Sequence, residues 1–446
     1  QLRVVHPTAD HELLIVDTTV ANYVVLAIVV YYGILFGMSF RRPQPMTDAA
    51  GLGPIFVFLV PARNEELVLG ETIANLIGLA EPHRCRVLVI NDGSTDDTEA
   101  IAEAWAAREV RVRVIHRRGA GAGRGKSDVL NHGYRTIREW CIGHDPWLDG
   151  HEEEHVVIGI IDADGRLQPN VVATVSPRFA RRDVASVQIG VRIANAGDST
   201  LARMQDIEFV GFSWVVQIAR DRLGSSGLGG NGQFTRLDAL AALGVQPWSP
   251  GALTEDLDLG LRLITLGWRT SFCPETWVDQ QGLDKWRPLL RQRTRWIQGH
   301  YQCWRHIPVL CRARRARLVT RLDLINYLLL VVTVLLVSTL AVVNGLASLG
   351  LADVQSSFLD VVPAGAVTRA VSLGLSLLPL SIFMWTYQRH SAKPFRWYEL
   401  PTYAVLFTLY TYVWLLTSLR ALARLAMRRN GWVKTPRVAA PVSSHL

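Results

Sequence analysis

The chain is poor in cysteine. Its five, Cys85, Cys141, Cys273, Cys303 and Cys311, form no CxxC pair and no even-numbered framework, which argues against a disulfide scaffold and a thiolate metal centre; they read as reduced thiols, mostly cytosolic. Histidine offers no metal-site spacing either, so His151, His155, His300 and His306 read as surface or interfacial groups. No nucleic-acid-binding motif accompanies the net charge of +8, and nucleic acid is not an expected partner. The basic residues gather instead where apolar segments begin and end, as beside an anionic leaflet. No internal repeat or low-complexity tract appears.

What is abundant is apolar. Hydrophobic residues make up 49% of 446 residues and the mean hydropathy is +0.17, values that point to a membrane-associated chain. Val16 to Phe40 is long enough for a spanning helix and is followed by Arg41 and Arg42, which predicts a retained anchor with the next region in the cytosol. No cationic stretch opens the run, unlike a cleaved signal. Three further apolar segments lie near Leu324–Leu349, Val367–Tyr387 and Leu400–Leu419. If all three cross, the C-terminus ends outside, yet Arg389, Lys393 and Arg396 precede the last one and Arg420, Arg424, Arg428, Arg429, Lys434 and Arg437 follow it. Both its ends look cytosolic, so it is expected to be re-entrant or interfacial. The tryptophan- and arginine-rich stretch from about Asp284 to Arg321 fits helices lying in the membrane surface.

From Pro54 to Pro274 short β-branched runs (IFVFLV, RVLVI, VRVIH, VVIGIID) alternate with amphipathic stretches, predicting an α/β domain with a mostly parallel sheet. Ligands of such sheets bind beyond the strands' carboxyl ends, where the polar clusters fall. VPARNEE, holding Arg63 and Glu65, ends the first strand. NDGSTDDT ends the second, with Ser94, Thr95 and Asp96 suited to helix capping and Asp92 at the tip, placed to accept hydrogen bonds from a uracil ring or ribose. The fourth strand runs into Asp162 and Asp164, two apart and so on one face of an extended chain, a pair suited to Mg²⁺ or Mn²⁺ with diphosphate oxygens. In ALTEDLDLGLRL, Thr254 is a candidate cap for a helix that Glu255 and Asp256 begin; acids suit a first turn anyway, but Asp256 is also positioned as a general base for a sugar hydroxyl. In QRTRW, helical spacing puts Gln292, Arg295 and Trp296 on one face. The glycine-rich stretch Gly119–Gly133, GAGAGRGKSDVLNHG, looks like a phosphate loop, but the residue five before Gly125 is Ala120, out of register for a P-loop.

Together these motifs, in this order, resemble the membrane-integrated, processive family-2 glycosyltransferases, the cellulose, chitin, hyaluronan and poly-N-acetylglucosamine synthases. The resemblance implies a GT-A-type catalytic domain inserted between N-terminal and C-terminal transmembrane helices. The expected organisation is an N-terminal segment and helix over 1–45, the cytosolic catalytic domain over 46–280, interfacial helices over 281–322, transmembrane or re-entrant helices over 323–425 and a cytosolic tail over 426–446. It also implies that GKSDVLNHG brings Lys126 to the nucleotide or its phosphates, that Asp92 binds the nucleotide base, Asp162 the nucleotide and Asp164 a divalent ion, with Asp256 the catalytic base and Glu255 beside it. Arg63 and Glu65 belong to the donor site by the same token; Arg63 stands where a tyrosine is common, which leaves the base-stacking contact unassigned. Gln292 and Arg295 would hold the diphosphate, Trp296 and Thr254 the acceptor, and GGNGQF would bring Asn231 to the acceptor site. WVKTPR, with Trp432, Lys434 and Thr435, is similar to the family's gating motifs. The implied reaction is inverting transfer from a UDP-sugar to a growing β-linked polysaccharide at the cytoplasmic membrane, with glucose or N-acetylglucosamine as the sugar. The rivals are transfer of one sugar to a lipid-linked acceptor, a P-loop ATPase or transporter, and a non-catalytic partner subunit.

Overall fold

The computed structural model describes residues 2–4, 14–17, 19–40, 53–348, 352–355 and 380–428. Its centre is an eight-stranded sheet built from β1 (Ile55–Ala62), β2 (Cys85–Asp92), β3 (Val112–Arg117), β4 (Val156–Ile160), β5 (Arg166–Leu167), β6 (Val184–Ile193), β7 (Gln233–Arg236) and β8 (Arg269–Gln280). The order across the sheet is β3-β2-β1-β4-β7-β6-β8-β5. Strands β1 to β4 pair in parallel; β7 is antiparallel to both neighbours, and β5 is antiparallel to β8. The sheet is therefore mixed, though β1, β2, β3, β4, β6 and β8 all run one way.

Alternation along a strand sends side chains to opposite faces, and β1 divides accordingly. Phe56, Phe58 and Val60 join Leu69, Ile73, Leu76 and Ala102 from the helices Leu69–Ile77 and Thr98–Arg108. Ile55, Val57 and Leu59 join Val129, Leu130, Ile137, Leu259 and Leu263 from Lys126–Ile142 and Glu255–Thr265. Both faces are thus covered by helices, as a two-sided apolar sheet requires. Gly133 lets Lys126–Ile142 lie close: a Cβ there would fall 2.5 Å from Ile90 Cδ1 and 2.9 Å from Leu59 Cδ2.

The helix Trp286–Gln302 runs alongside the catalytic domain and packs on the long helix Leu400–Ala426. Leu35 of the N-terminal helix Thr19–Ser39 packs on Val215, Val216 and Ala219. A small sheet joins Leu2–Val4, Leu14–Asp17 and Ala352–Gln355.

The expectation of spanning helices on both sides of the catalytic domain needs correction. Among the described residues only Leu400–Ala426 is by itself long and apolar enough to cross a membrane; Leu318–Leu328 and Leu330–Leu340 pass together but bend by 49°, and the qualifying apolar part of the N-terminal helix is the shorter Leu26–Ser39. The segment expected to be re-entrant or interfacial is thus the unbroken helix. Most of the apolar segment Val367–Tyr387 lies outside the described residues, as do Trp432, Lys434 and Thr435.

Candidate active site

Because β1, β2, β3 and β4 run in one direction, Ala62, Asp92, Arg117 and Ile160 end at the same edge of the sheet. The reversed β7 starts at that edge, which brings in the loop Gly229–Gly232.

The first two motif loops clasp each other. Asn64 Oδ1 accepts from the Thr95 amide (2.8 Å), the Asn64 amide donates to Ser94 Oγ (3.0 Å), and the Glu65 amide donates to Thr98 Oγ1 (2.7 Å). Asp97 holds the N-cap position of Thr98–Arg108 without a side-chain bond, so Ser94 and Thr95 serve this cross-loop clasp rather than the cap expected of them. Buried Asp92 accepts from Arg117 Nη1 at 2.6 Å and from the Gly123 amide at 3.1 Å. Arg117 also pairs with Asp128. The glycine-rich stretch therefore folds over Asp92. A Cβ on Gly123 would meet the Arg63 guanidinium at 2.5 Å, and Gly123 and Gly125 adopt φ of 78° and 111°, conformations that favour glycine.

Lys126 opens its helix and turns into the site. Its Nζ donates to Asp162 Oδ1 (2.5 Å) and to the Gly230 carbonyl (2.9 Å), with Glu255 Oε1 at 3.9 Å. Burial alone would lower the ammonium, but the Asp162 and Glu255 carboxylates hold its pKa above the ordinary value. Asp162 and Asp164 lie in a turn, closed by the Gly165 amide on the Asp162 carbonyl at 2.8 Å, not on an extended strand as expected. The Asp164 carboxylate accepts from the Gln281 amide at 3.4 Å.

Asn231, expected at the acceptor site, is buried and bonded within the protein. Its Oδ1 accepts from the Asp162 amide (3.2 Å) and its Nδ2 donates to Gln280 Oε1 (2.9 Å), so it braces the Asp162 turn. Gln188, absent from the sequence reading, braces the same loop by accepting from the Gly229 amide (2.8 Å) and donating to the Asn231 carbonyl (2.8 Å).

Glu255 and Asp256 form the first turn of Glu255–Thr265. Thr254 takes the N-cap position but makes no side-chain cap bond. Burial, together with the neighbouring Glu255 carboxylate, pushes the Asp256 carboxyl up to about 7, against the pull of Lys126 and Arg295. Gly230, at φ 70°, passes so close that a Cβ would sit 3.2 Å from Asp256 Oδ2. Two residues on, fully buried Asp258 receives Arg305 (2.6 Å), His306 (2.7 Å) and Ser249 (2.5 Å), fastening this helix to the chain that follows Trp286–Gln302.

The QRTRW residues sit on Trp286–Gln302, where Arg295 and Trp296 meet different neighbours. Arg295 reaches the Leu253 carbonyl at 3.4 Å and acts electrostatically on Asp256. Trp296 packs edge-on against Phe209 and under the Arg293 guanidinium, 4.1 Å from its ring centre. Gln292 is half-buried. Arg293, which the motif spacing passed over, is fully buried and bonded to Glu208 at 2.7 Å. Gly299 carries the contact with the catalytic helix: a Cβ there would fall 2.6 Å from Thr254 Oγ1 and 2.8 Å from its amide nitrogen.

Among the described residues no cluster of three or more His, Cys, Asp or Glu is arranged to hold a metal. Mg²⁺ and Mn²⁺ are commonly held by one or two carboxylates with substrate phosphates completing the shell, and the hard oxygens of Asp162 and Asp164 fit that chemistry.

The strand order, the Asp162–Asp164 turn and the acidic helix start define an α/β domain of GT-A type. The same fold is found in a mannosyltransferase from Pyrobaculum calidifontis, solved with GDP-Man and Mn²⁺, which is 16% identical with a TM-score of 0.56, covering 88% of this chain and 96% of that one. The model of Glycosyltransferase like family 2 matches residues 54–299, over half of the sequence, and the chain belongs to that family. Among curated relatives, a beta-monoglucosyldiacylglycerol synthase of Synechocystis sp. is 29% identical over 406 residues, 87% of this chain and 76% of the relative. A Nostoc sp. protein of the same name is 34% identical over 60% of this chain, a match spanning 53% of the relative. Both names denote lipid glycosylation, where the motifs had suggested polysaccharide synthesis.

Proposed function

We propose that the chain transfers one glucosyl residue, with inversion, from a UDP-sugar to a hydroxyl of a diacylglycerol-type membrane lipid, and that it does not polymerise. One structural observation carries this reading: the candidate base lies at the contact between the catalytic domain and the helix Trp286–Gln302, whose other side packs on the apolar helix Leu400–Ala426. A lipid hydroxyl at the membrane surface would reach such a base. The two similar proteins named for lipid glucosylation support the same acceptor class.

In this mechanism Asp256 takes the proton of the lipid hydroxyl. The hydroxyl oxygen attacks the anomeric carbon of the donor from the face opposite UDP. A bond forms between that oxygen and carbon, the bond from carbon to the diphosphate oxygen breaks, and UDP departs with the electron pair. A carboxyl raised to about 7 suits the task, since a substantial share is ionised at neutral pH while it stays basic enough to receive a proton. Lys126 and Arg295 supply positive charge at the leaving diphosphate. Lys126 exchanges Asp162 for phosphate as the donor enters, and Asp92, held by Arg117 and Gly123, positions the nucleoside. A divalent ion held by Asp162 and Asp164 would supply further compensation of the diphosphate charge. The catalytic domain works on the cytosolic side of the cytoplasmic membrane.

The test is UDP release by the detergent-purified chain over a panel of UDP-sugars with Mg²⁺ or Mn²⁺, with and without diacylglycerol. Release from UDP-glucose that requires diacylglycerol is the expected result. Release that ignores the lipid but follows added oligosaccharide contradicts the proposal.

A further inference from the structure

Leu400–Ala426 has the length of a membrane span, about 40 Å at 1.5 Å per residue. Its contacts describe something else. Just before it, the His390 carbonyl accepts from Arg192 Nη2, on a strand of the main sheet, at 2.6 Å. The Lys393 carbonyl accepts from Arg203 at 2.8 Å, and the Arg203 guanidinium lies 5.6 Å from the centre of the Tyr403 ring. In the middle, Tyr410 Oη donates to Glu208 at 2.6 Å, beside the Arg293–Glu208 pair. At the far end, Arg424 Nε donates to Gln298 at 2.9 Å. The helix is tied to the catalytic domain and its adjoining helix before its start, at its midpoint and at its end.

A chain bonded to the catalytic side at His390 and again at Arg424 crosses the bilayer an even number of times between them. A single unbroken helix fills most of that interval, so the number is zero. Crossing would also set the Arg293–Glu208 pair near the bilayer midplane, where ionised groups are costly.

The outer face is what the membrane receives. Phe407, Tyr410, Val413, Thr417 and Ala421 are buried, whereas Val405, Leu409, Leu416 and Leu419 are each more than half exposed and recur at helical spacing as one stripe. Trp397, 86% exposed, precedes the stripe with Lys393 and Arg396, and Arg420 and Arg428 stand at its other end. An apolar stripe between basic ends matches an anionic leaflet: apolar side chains in the headgroup–acyl boundary, cations at the lipid charges.

We infer that Leu400–Ala426 lies in the plane of the membrane, beside Trp286–Gln302, with the Val405–Leu419 stripe dipped into an anionic leaflet on the catalytic side. This settles the conflict in the charge pattern, because both basic flanks then face the cytosol. It does not depend on which sugar or acceptor the enzyme uses.

The full chain in vesicles of phosphatidylcholine and phosphatidylglycerol tests it. In a Cys311→Ser background, Trp397→Cys and Arg428→Cys report the two ends to a membrane-impermeant maleimide, with Arg182→Cys marking the catalytic side. Equal labelling of all three from one side is expected; protection of one end until the vesicles are opened overturns the inference. Spin labels on Val405→Cys, Leu409→Cys, Leu416→Cys and Leu419→Cys give an independent reading. A common shallow depth is expected, and depths that run progressively through the bilayer overturn it. Sugar transfer by the same vesicles, measured in parallel, shows whether a failure belongs to the topology or to the proposed reaction.

Discussion

At the scale of single residues, the proposed chemistry rests on the Asp256 carboxyl, lifted by burial and by the like-charged Glu255. The base works ionised, so kcat/KM is expected to fall as pH drops through about 7 and to level off above it. Lys126 lowers the Asp256 carboxyl and Glu255 raises it; Lys126→Met therefore moves the acidic limb to higher pH and Glu255→Gln moves it lower, each by roughly one unit. A pH–rate profile that both variants leave in place contradicts this assignment. Asp256→Asn is expected to reduce kcat by about 10² to 10⁴-fold with little change in the donor's KM, read by steady-state UDP release. These residues were legible because each stands where an apolar run meets a polar cluster. Arg117, Gln188 and Arg293 were not: Arg117 finds Asp92 across 25 positions and Arg293 finds Glu208 across 85, and no local pattern announces such a partner. Asn231 was legible as a motif residue, but its bonds make it a brace of the Asp162 turn.

At the scale of elements, the active site depends on how closely two helices approach. Gly299 lets Trp286–Gln302 touch the Thr254 backbone, so Gly299→Ala is expected to lower kcat by about 10²-fold through displacement of the catalytic turn; unchanged turnover would show that this approach is not needed. Asp258 is buried under three donors. Its replacement by alanine takes the acceptor from Ser249, Arg305 and His306 together and is expected to cost about 3 kcal/mol of stability, while Arg305→Ala, at a half-exposed partner, costs under about 1 kcal/mol. Denaturant unfolding of the two variants side by side checks the contrast. The strands were readable because β-branched runs with polar ends have few other uses. The Asp162–Asp164 turn was not, since Asp-x-Asp satisfies both a strand end and a tight turn. QRTRW was legible as a helical motif, but its spacing does not show that Arg295 reaches the Leu253 carbonyl or that Trp296 packs between Phe209 and Arg293.

At the scale of the whole molecule, a family-2 glycosyltransferase domain packs against the helices Trp286–Gln302 and Leu400–Ala426, and the proposed function sets its candidate base at a membrane surface. Charge counting singled out the last apolar segment, and the contacts at His390, Tyr410 and Arg424 are the ground for proposing that it lies in the membrane plane. The motifs suggested a polymer, whereas the relatives include proteins named for a lipid product and others named for glucomannan, so family membership alone leaves the acceptor open. If Asp162 and Asp164 hold a divalent ion, chelation abolishes turnover and added Mn²⁺ or Mg²⁺ restores it. The central claim is the acceptor, and it is tested most directly by the product: radiolabelled UDP-glucose is supplied to the purified chain in diacylglycerol-containing vesicles, and the products are separated by thin-layer chromatography and weighed by mass spectrometry. The account predicts a single organic-soluble species, diacylglycerol bearing one hexose, absent with Asp256→Asn. Label in a water-insoluble or ladder-forming polysaccharide, with none on the lipid, would contradict it.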